Sequence, residues 1–274
     1  MRLVSYEHGG TAHVGVREGD IVVPLGGIDR IGPQTPLALL RAAPRLREQA
    51  VALDSVRLLP AVPAPEKIVC VGLNYRAHQA ESRRADTDYP VLFAKFAGSL
   101  IGARDDILRP PEAEFFDYEA ELAVVIGKAG RRIPEDRALD HVLGLSVAND
   151  ITVRDYQYRT HQWLQGKTWD GTTPLGPDIV TLDEADPSRG RIRCVVNGRT
   201  EQDADLSQLI FTVPFLIATV SEFTELVPGD VILTGTPGGV GYRREPPLNL
   251  QDGDTVTVEI EGVGSITNTV RAQR

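Results

Sequence analysis

Only two cysteines, Cys70 and Cys194, occur among 274 residues. Both fall in apolar, strand-like runs and neither belongs to a CxxC pair, which leaves no basis for a disulfide framework and fits buried free thiols in a reducing compartment. Runs of lysine or arginine are missing too, and the net charge is −9, so no nucleic-acid surface is expected. The first residues, Met1 to His8, carry no continuous apolar core and no small-residue cleavage site. No signal peptide and no membrane span are expected, and the predicted location is cytoplasmic. Internal repeats and low-complexity segments are likewise missing.

What is present is ordinary globular composition, 42% hydrophobic and 24% charged, in a chain long enough to bury a core without staples. Two units are expected. Residues 1–62 read as a small β-rich unit, with short strands at Arg2 to Tyr6, His13 to Val16 and Ile21 to Pro24, then a helix over Thr35 to Leu53. Three prolines in Leu59-Pro60-Ala61-Val62-Pro63-Ala64-Pro65 mark a linker, because proline fixes φ and removes a donor. Residues 63–274 read as the larger unit. Its predicted strands include Lys67 to Gly72, Tyr89 to Phe96, Glu119 to Ile126, Gly144 to Ala148, Thr255 to Ile260 and Gly264 to Val270. Helices are predicted at Asn74 to Ser82, Thr152 to Leu164 and Val213 to Leu226. Asn197-Gly198 predicts a tight hairpin after Arg193 to Val196. Many strands, few helices and glycine-rich turns point to an α+β fold, predominantly β, of rolled or barrel-like form.

The chemistry concentrates in Asp117-Tyr118-Glu119-Ala120-Glu121-Leu122. Side chains alternate across a strand, so Glu119 and Glu121 share one face while Tyr118, Ala120, Leu122, Val124 and Ile126 share the other. Two carboxylates on one face either are solvated at an edge or share a hard divalent cation. Asp150, at the end of the next strand, offers a third carboxylate or a helix N-cap. On the helix predicted after it, Arg154, Gln157, Tyr158 and His161 fall on one face. Arg154 suits a carboxylate clamp and Gln157 an amide hydrogen bond, whereas His161 suits a solvated face. Lys167, in Gly166-Lys167-Thr168-Trp169-Asp170, is either a surface lysine or a stabiliser of oxyanion charge. His78 and Glu81 lie three apart on a predicted helix, as a surface pair or as a base and its orienter. The turn Leu233-Thr234-Gly235-Thr236-Pro237-Gly238-Gly239-Val240-Gly241 lacks a P-loop ending, but its N–H groups and the Thr236 hydroxyl could hold an anion.

Taken in order, these segments, together with Val71-Gly72-Leu73-Asn74-Tyr75, Pro90-Val91-Leu92-Phe93-Ala94-Lys95 and Asn149-Asp150-Ile151-Thr152-Val153-Arg154-Asp155, resemble the fumarylacetoacetate hydrolase superfamily, in particular its bacterial acylpyruvase and 2-hydroxyhepta-2,4-diene-1,7-dioate isomerase-like members. The resemblance implies a mixed β-roll with Mg²⁺ or Mn²⁺ held by Glu119, Glu121 and Asp150. It implies a water-activating dyad of His78 and Glu81, a catalytic Lys167, and substrate contacts from Arg154, Gln157, Thr236 and Tyr75. A homodimer acting on a small 2-oxo or diketo acid is expected. Phe93-Ala94-Lys95-Phe96 does not carry the catalytic histidine of the eukaryotic tyrosine-catabolism enzyme, which places the base role on His78.

The leading expectation is hydrolysis of the carbon–carbon bond of an acylpyruvate or fumarylpyruvate. The alternatives are decarboxylation of an oxaloacetate-type acid, or isomerisation of 2-hydroxyhepta-2,4-diene-1,7-dioate, through the same enolate. A non-catalytic binding protein that kept the fold is the alternative of another class. Arg83 and Arg84 either face a second substrate carboxylate or only water.

Overall fold

The structure, a computed structural model, describes residues 1–82 and 88–273. Arg83 and Arg84 lie outside the described residues. A twelve-stranded sheet forms the frame. Strand Ala120–Ile126 lies inside it, antiparallel to Val142–Asn149 on one side and to Val231–Leu233 on the other. Ile68–Gly72 then pairs parallel with Val231–Leu233, and Val91–Lys95 closes that edge. A five-stranded sheet, which includes Arg191–Val196, Thr255–Ile260 and Gly264–Ala272, packs against the frame. This is the sheet-dominated α+β fold expected.

Both faces of Ala120–Ile126 are buried, and alternation divides them. Ala120, Leu122, Val124 and Ile126 join the larger core, with Ile192, Cys194, Val256 and Val258 of the second sheet. Ala123 and Val125 face the other core, with Leu3, Val14, Leu143 and Leu175. Glu119 and Glu121 therefore project from a strand that has no solvated side, which removes the exposed-edge explanation of the pair.

The first strands, Arg2–His8, Thr11–Glu18 and Ile21–Pro24, form the expected meander, and it continues the frame through Arg2↔Val180 and Leu3↔Ile179. The proline-rich segment has no regular structure, yet Ala61 and Val62 are fully buried and the Ala61 N–H donates to Leu175 O at 2.9 Å. It is a packed strap more than a spacer.

Two expected helices are shorter than their sequence pattern. Over Thr35 to Leu53 only Leu37–Ala42 is α-helical, followed by two 3₁₀ turns and the short strand Val51–Ala52. Pro44 ends it, because the residue before a proline avoids the helical region, and Ala43 is extended at φ −61°, ψ 136°. The helix expected over Thr152 to Leu164 is reduced to the turn Arg154–Gln157, with a second turn at Leu164–Lys167. Thr152–Val153 is claimed as strand by Phe116–Asp117, through Phe116↔Val153 and Asp117↔Thr152. The helices Arg76–Ser82 and Val213–Phe223 form close to their expected places. So does the hairpin at Asn197 and Gly198, with φ of 51° and 81°, the left-handed pair that a two-residue turn needs. None of the described helices is long and apolar enough to cross a membrane.

Candidate metal centre and cleft

Strand register brings the three carboxylates together. Ala120 pairs with Asn149, and the Asp150 N–H donates to Glu119 O at 2.8 Å. Glu119 and Asp150 thus leave adjacent strand ends, and Glu121 stands one alternation further along. Ligand oxygens of Glu119, Glu121 and Asp150 all lie within 4.8 Å of one another, and all three residues are buried. The Glu121 carboxylate also accepts from Gly235 N at 2.8 Å, which fastens the glycine-rich turn to the centre.

Three buried cations face this group. Lys167 Nζ lies 2.7 Å from both Glu119 Oε2 and Asp150 Oδ2. Lys95 Nζ lies 2.6 Å from Asp150 Oδ1, with both side chains fully buried. Arg154 Nη1 lies 2.7 Å from Glu119 Oε1, and its Nε donates to Asp117 Oδ2 at 2.8 Å. With Asp117, four carboxylates oppose three cations, so full ionisation would leave one net negative charge in a buried volume. Burial, with Asp150 and Glu119 beside it, pushes the Glu121 carboxyl well up, and burial also raises Asp117. Burial would raise Glu119 as well, but Lys167 and Arg154 outweigh it and hold that carboxyl down at about 2. Burial also opposes the Lys167 charge, yet Asp150 and Glu119 beside it keep the ammonium well above its usual range.

The donor set fits a small hard cation. All donors are carboxylate oxygens, and two oxygens on opposite sides of one Mg²⁺ stand on the order of 4 Å apart. A carboxylate oxygen has a second lone pair, so one that already accepts a hydrogen bond can still ligate. Glu121, the member least able to carry its charge unaided, is the one that a divalent cation would relieve most.

A cleft opens beside this centre. Its lining includes Glu119, Lys167, Arg154, Gln157, His78 and Thr236, so six of the expected site residues meet there. Gln157 Oε1 accepts from Arg154 Nη1 at 2.9 Å. Thr236 Oγ1 accepts from Gln202 Nε2 at 2.8 Å, which fixes the turn from below. Asn74, fully buried, donates to Phe211 O and Thr234 O and accepts from Phe211 N, anchoring the start of the His78 helix.

Other placements differ from expectation. His78 Nδ1 is 3.8 Å from Glu81 Oε2, beyond hydrogen-bond length, and has no hydrogen-bond partner among the described residues. Glu81 Oε2 instead accepts from Gly239 N at 2.9 Å. Arg154 is committed to Asp117, Glu119 and Gln157 before any substrate arrives. Tyr75 is buried in the core and is not among the residues lining the cleft. His161 is exposed, as its polar-face reading implied.

Two residues of this network received no role from the sequence. Lys95 is the only charged residue of Val91–Lys95, a signal that was there to be read. Asp117 precedes Glu119 and Glu121 at the same two-residue spacing, so the alternation that paired the glutamates also extended to it.

Comparison with known proteins agrees with this geometry. The family model "Fumarylacetoacetate (FAA) hydrolase C-terminal" matches residues 67–271, and "Rv2993c-like, N-terminal" matches residues 1–60. The chain is 42% identical over 287 aligned residues to "Oxaloacetate tautomerase FAHD2A, mitochondrial" of Homo sapiens, covering 98% of this chain and 91% of that protein. Among solved structures, 5-carboxymethyl-2-hydroxymuconate delta-isomerase from Mycobacterium smegmatis is 34% identical with a TM-score of 0.85. Fumarylacetoacetate hydrolase from Exiguobacterium antarcticum is 37% identical with a TM-score of 0.84. Each alignment covers 100% of both chains. On its sequence, its fold and its carboxylate centre, the chain belongs to the fumarylacetoacetate hydrolase family of enzymes.

Proposed function

We propose that this chain is a Mg²⁺- or Mn²⁺-dependent enzyme that interconverts the keto and enol forms of a 2-oxo dicarboxylic acid of the oxaloacetate type. Glu119, Glu121 and Asp150 would hold the cation, which when bound supplies Lewis-acid polarisation of the 2-oxo group. The Lys167 ammonium, held protonated by its two carboxylate partners, presents positive charge to the substrate oxygens. The His78 imidazole, at the cleft and nine-tenths buried, takes the proton from C3 and returns it, while O2 gains or loses the balancing proton.

The observation that carries this choice is the looseness of the His78–Glu81 pair, an ion-pair contact at 3.8 Å without a hydrogen bond. Hydrolysis needs a water activated by a base that its orienter holds in place. Here Glu81 is held by Gly239 and stands 3.8 Å from the imidazole. Tautomerisation needs only a proton shuttle between carbon and base, and a lone imidazole suffices. The close relatives named as oxaloacetate tautomerases support the same reading. Hydrolysis of an acylpyruvate is the second reading, favoured by His78 and Glu81 remaining neighbours on one helical turn.

The test follows the enol absorbance of freshly dissolved oxaloacetate, with Mg²⁺ and then with EDTA. Metal-dependent acceleration of the enol–keto change, with no acid fragments formed, is expected. Cleavage of acetylpyruvate or fumarylpyruvate to pyruvate and the matching acid, with no effect on oxaloacetate, would transfer the assignment to the second reading.

A further inference from the structure

Asp117 is fully buried and spends both oxygens on defined donors. Oδ1 accepts from Tyr118 N at 2.9 Å and Gly241 N at 2.8 Å. Oδ2 accepts from Tyr242 N at 3.0 Å and Arg154 Nε at 2.8 Å, and Arg154 Nη2 lies 2.7 Å away. The carboxylate thus ties the strand before Glu119, the end of the glycine-rich turn and the guanidinium into one rigid unit. Gly241 makes the approach possible, since a Cβ there would stand 2.6 Å from Asp117 Oδ1 and 2.1 Å from Leu248 O.

The consequence reaches the cleft. A guanidinium offers donors only, so the Gln157 oxygen must be the atom that meets Arg154 Nη1. The oxygen keeps a second lone pair, but its place on Arg154 turns the N–H₂ to the other side of the planar amide, in a residue that lines the cleft. We propose that Asp117 is a positioning residue that, through Arg154, turns the Gln157 amide so that its N–H₂ faces the cleft as a donor for an anionic oxygen of the substrate. This inference rests on the reading of the cleft as a 2-oxo acid site. It gives that site a polarity: hydrogen-bond acceptors are favoured next to the Gln157 N–H₂.

Two measurements test it. The first is solvent exchange of the Arg154 Nε–H by ¹H–¹⁵N spectroscopy, read in the wild-type protein and in Asp117→Asn. The asparagine keeps an oxygen for the Tyr118 and Gly241 N–H groups but sets an N–H₂ against the guanidinium and the Tyr242 N–H. Slow exchange is expected in the wild type, with exchange about ten- to a hundredfold faster in the variant, the factor for one lost hydrogen bond to a charged group. Rapid exchange in the wild type overturns the proposal by itself, whether or not the variant folds. The second is oxalate binding by calorimetry in the presence of Mg²⁺. Asp117→Asn and Gln157→Leu are each expected to weaken oxalate about tenfold, and the double variant no further than the weaker single, because the two act in series. Additive losses, or a fall in Tm with oxalate affinity unchanged, would reduce Asp117 to a structural role. Failure of the wild type to bind oxalate would count against the 2-oxo acid reading, while the Arg154 signal would still decide the positioning.

Discussion

Lys95→Met tests the charge balance of the centre most sharply. The substitution keeps length and apolar volume but removes an ammonium 2.6 Å from Asp150 Oδ1, where neither side chain touches solvent. Asp150 retains Lys167 on its other oxygen, so the carboxylate is half-compensated and not abandoned. Removing one partner of a buried ion pair costs about 3–5 kcal/mol. At about 2–4 °C per kcal/mol for a chain near this size, the melting point should fall by about 6–20 °C without added metal. A divalent cation on Glu119, Glu121 and Asp150 would replace the lost charge, and binding at a hundredfold excess over Kd stabilises by about 2.7 kcal/mol even before any gain in affinity. The variant should bind Mg²⁺ more tightly than the wild type, because a competing positive charge is gone. The assay is thermal or urea unfolding of both proteins in EDTA and in saturating Mg²⁺. The gap between them should be large in EDTA and narrow in Mg²⁺. A loss under about 1 kcal/mol in EDTA, the range of an exposed pair, would refute the reasoning, as would a gap that Mg²⁺ fails to narrow.

Other consequences follow from the same geometry. His78→Ala should lower kcat on the keto–enol reaction by about 10²–10⁴-fold, the usual range for a lost general base, and a near-normal rate in steady-state assays would remove the imidazole from the chemistry. Glu81→Gln should change that rate far less, since Glu81 is held by Gly239 and is not bonded to His78; an equal loss in both variants would restore the dyad. Leu122→Ala, fully buried between the metal-site carboxylates and the second sheet, should cost about 2–5 kcal/mol in urea unfolding, and a cost under 1 kcal/mol would mean that this strand is not in the core. Burial raises the Glu81 carboxyl, but His78 and the Gly239 N–H outweigh it and leave it lowered. Its link to Gly239 is therefore complete above the unfolded value of about 4.3 and is lost as pH falls through the lowered folded value. The protection factor of the Gly239 amide, its exchange rate relative to the intrinsic rate at the same pH, should fall in that acidic window and hold on the alkaline side.

Local pattern carried much of this site. Alternation at Glu119 and Glu121 placed two carboxylates on one side of a strand, and the strand end at Asp150 offered the third, because such periodicity survives whatever the tertiary context. The i, i+3 spacing of Arg154 and Gln157 held because it needs a single helical turn, and one turn is what forms. The longer helix failed because Thr152 and Val153 were taken by a strand 35 residues earlier in the chain, through Phe116↔Val153 and Asp117↔Thr152. Propensity cannot foresee such non-local pairing. Pro44, by contrast, was a local signal, and it ends the first helix where the chain chemistry says it must. Lys95 and Asp117 were harder to read. Their significance is the buried partner that each meets, Asp150 and Arg154, and a partner 55 or 37 residues away along the chain is set by sheet order and not by spacing.

The most direct test of the central claim is exchange of the C3 protons of oxaloacetate in D₂O, followed by ¹H NMR with protein and Mg²⁺ and again with EDTA. Enolisation at the carboxylate centre predicts loss of the C3 signal faster than the uncatalysed rate, dependent on the cation and abolished in Glu121→Ala, with oxaloacetate conserved. Exchange at the background rate, or conversion of oxaloacetate to pyruvate in step with any loss of signal, would contradict it.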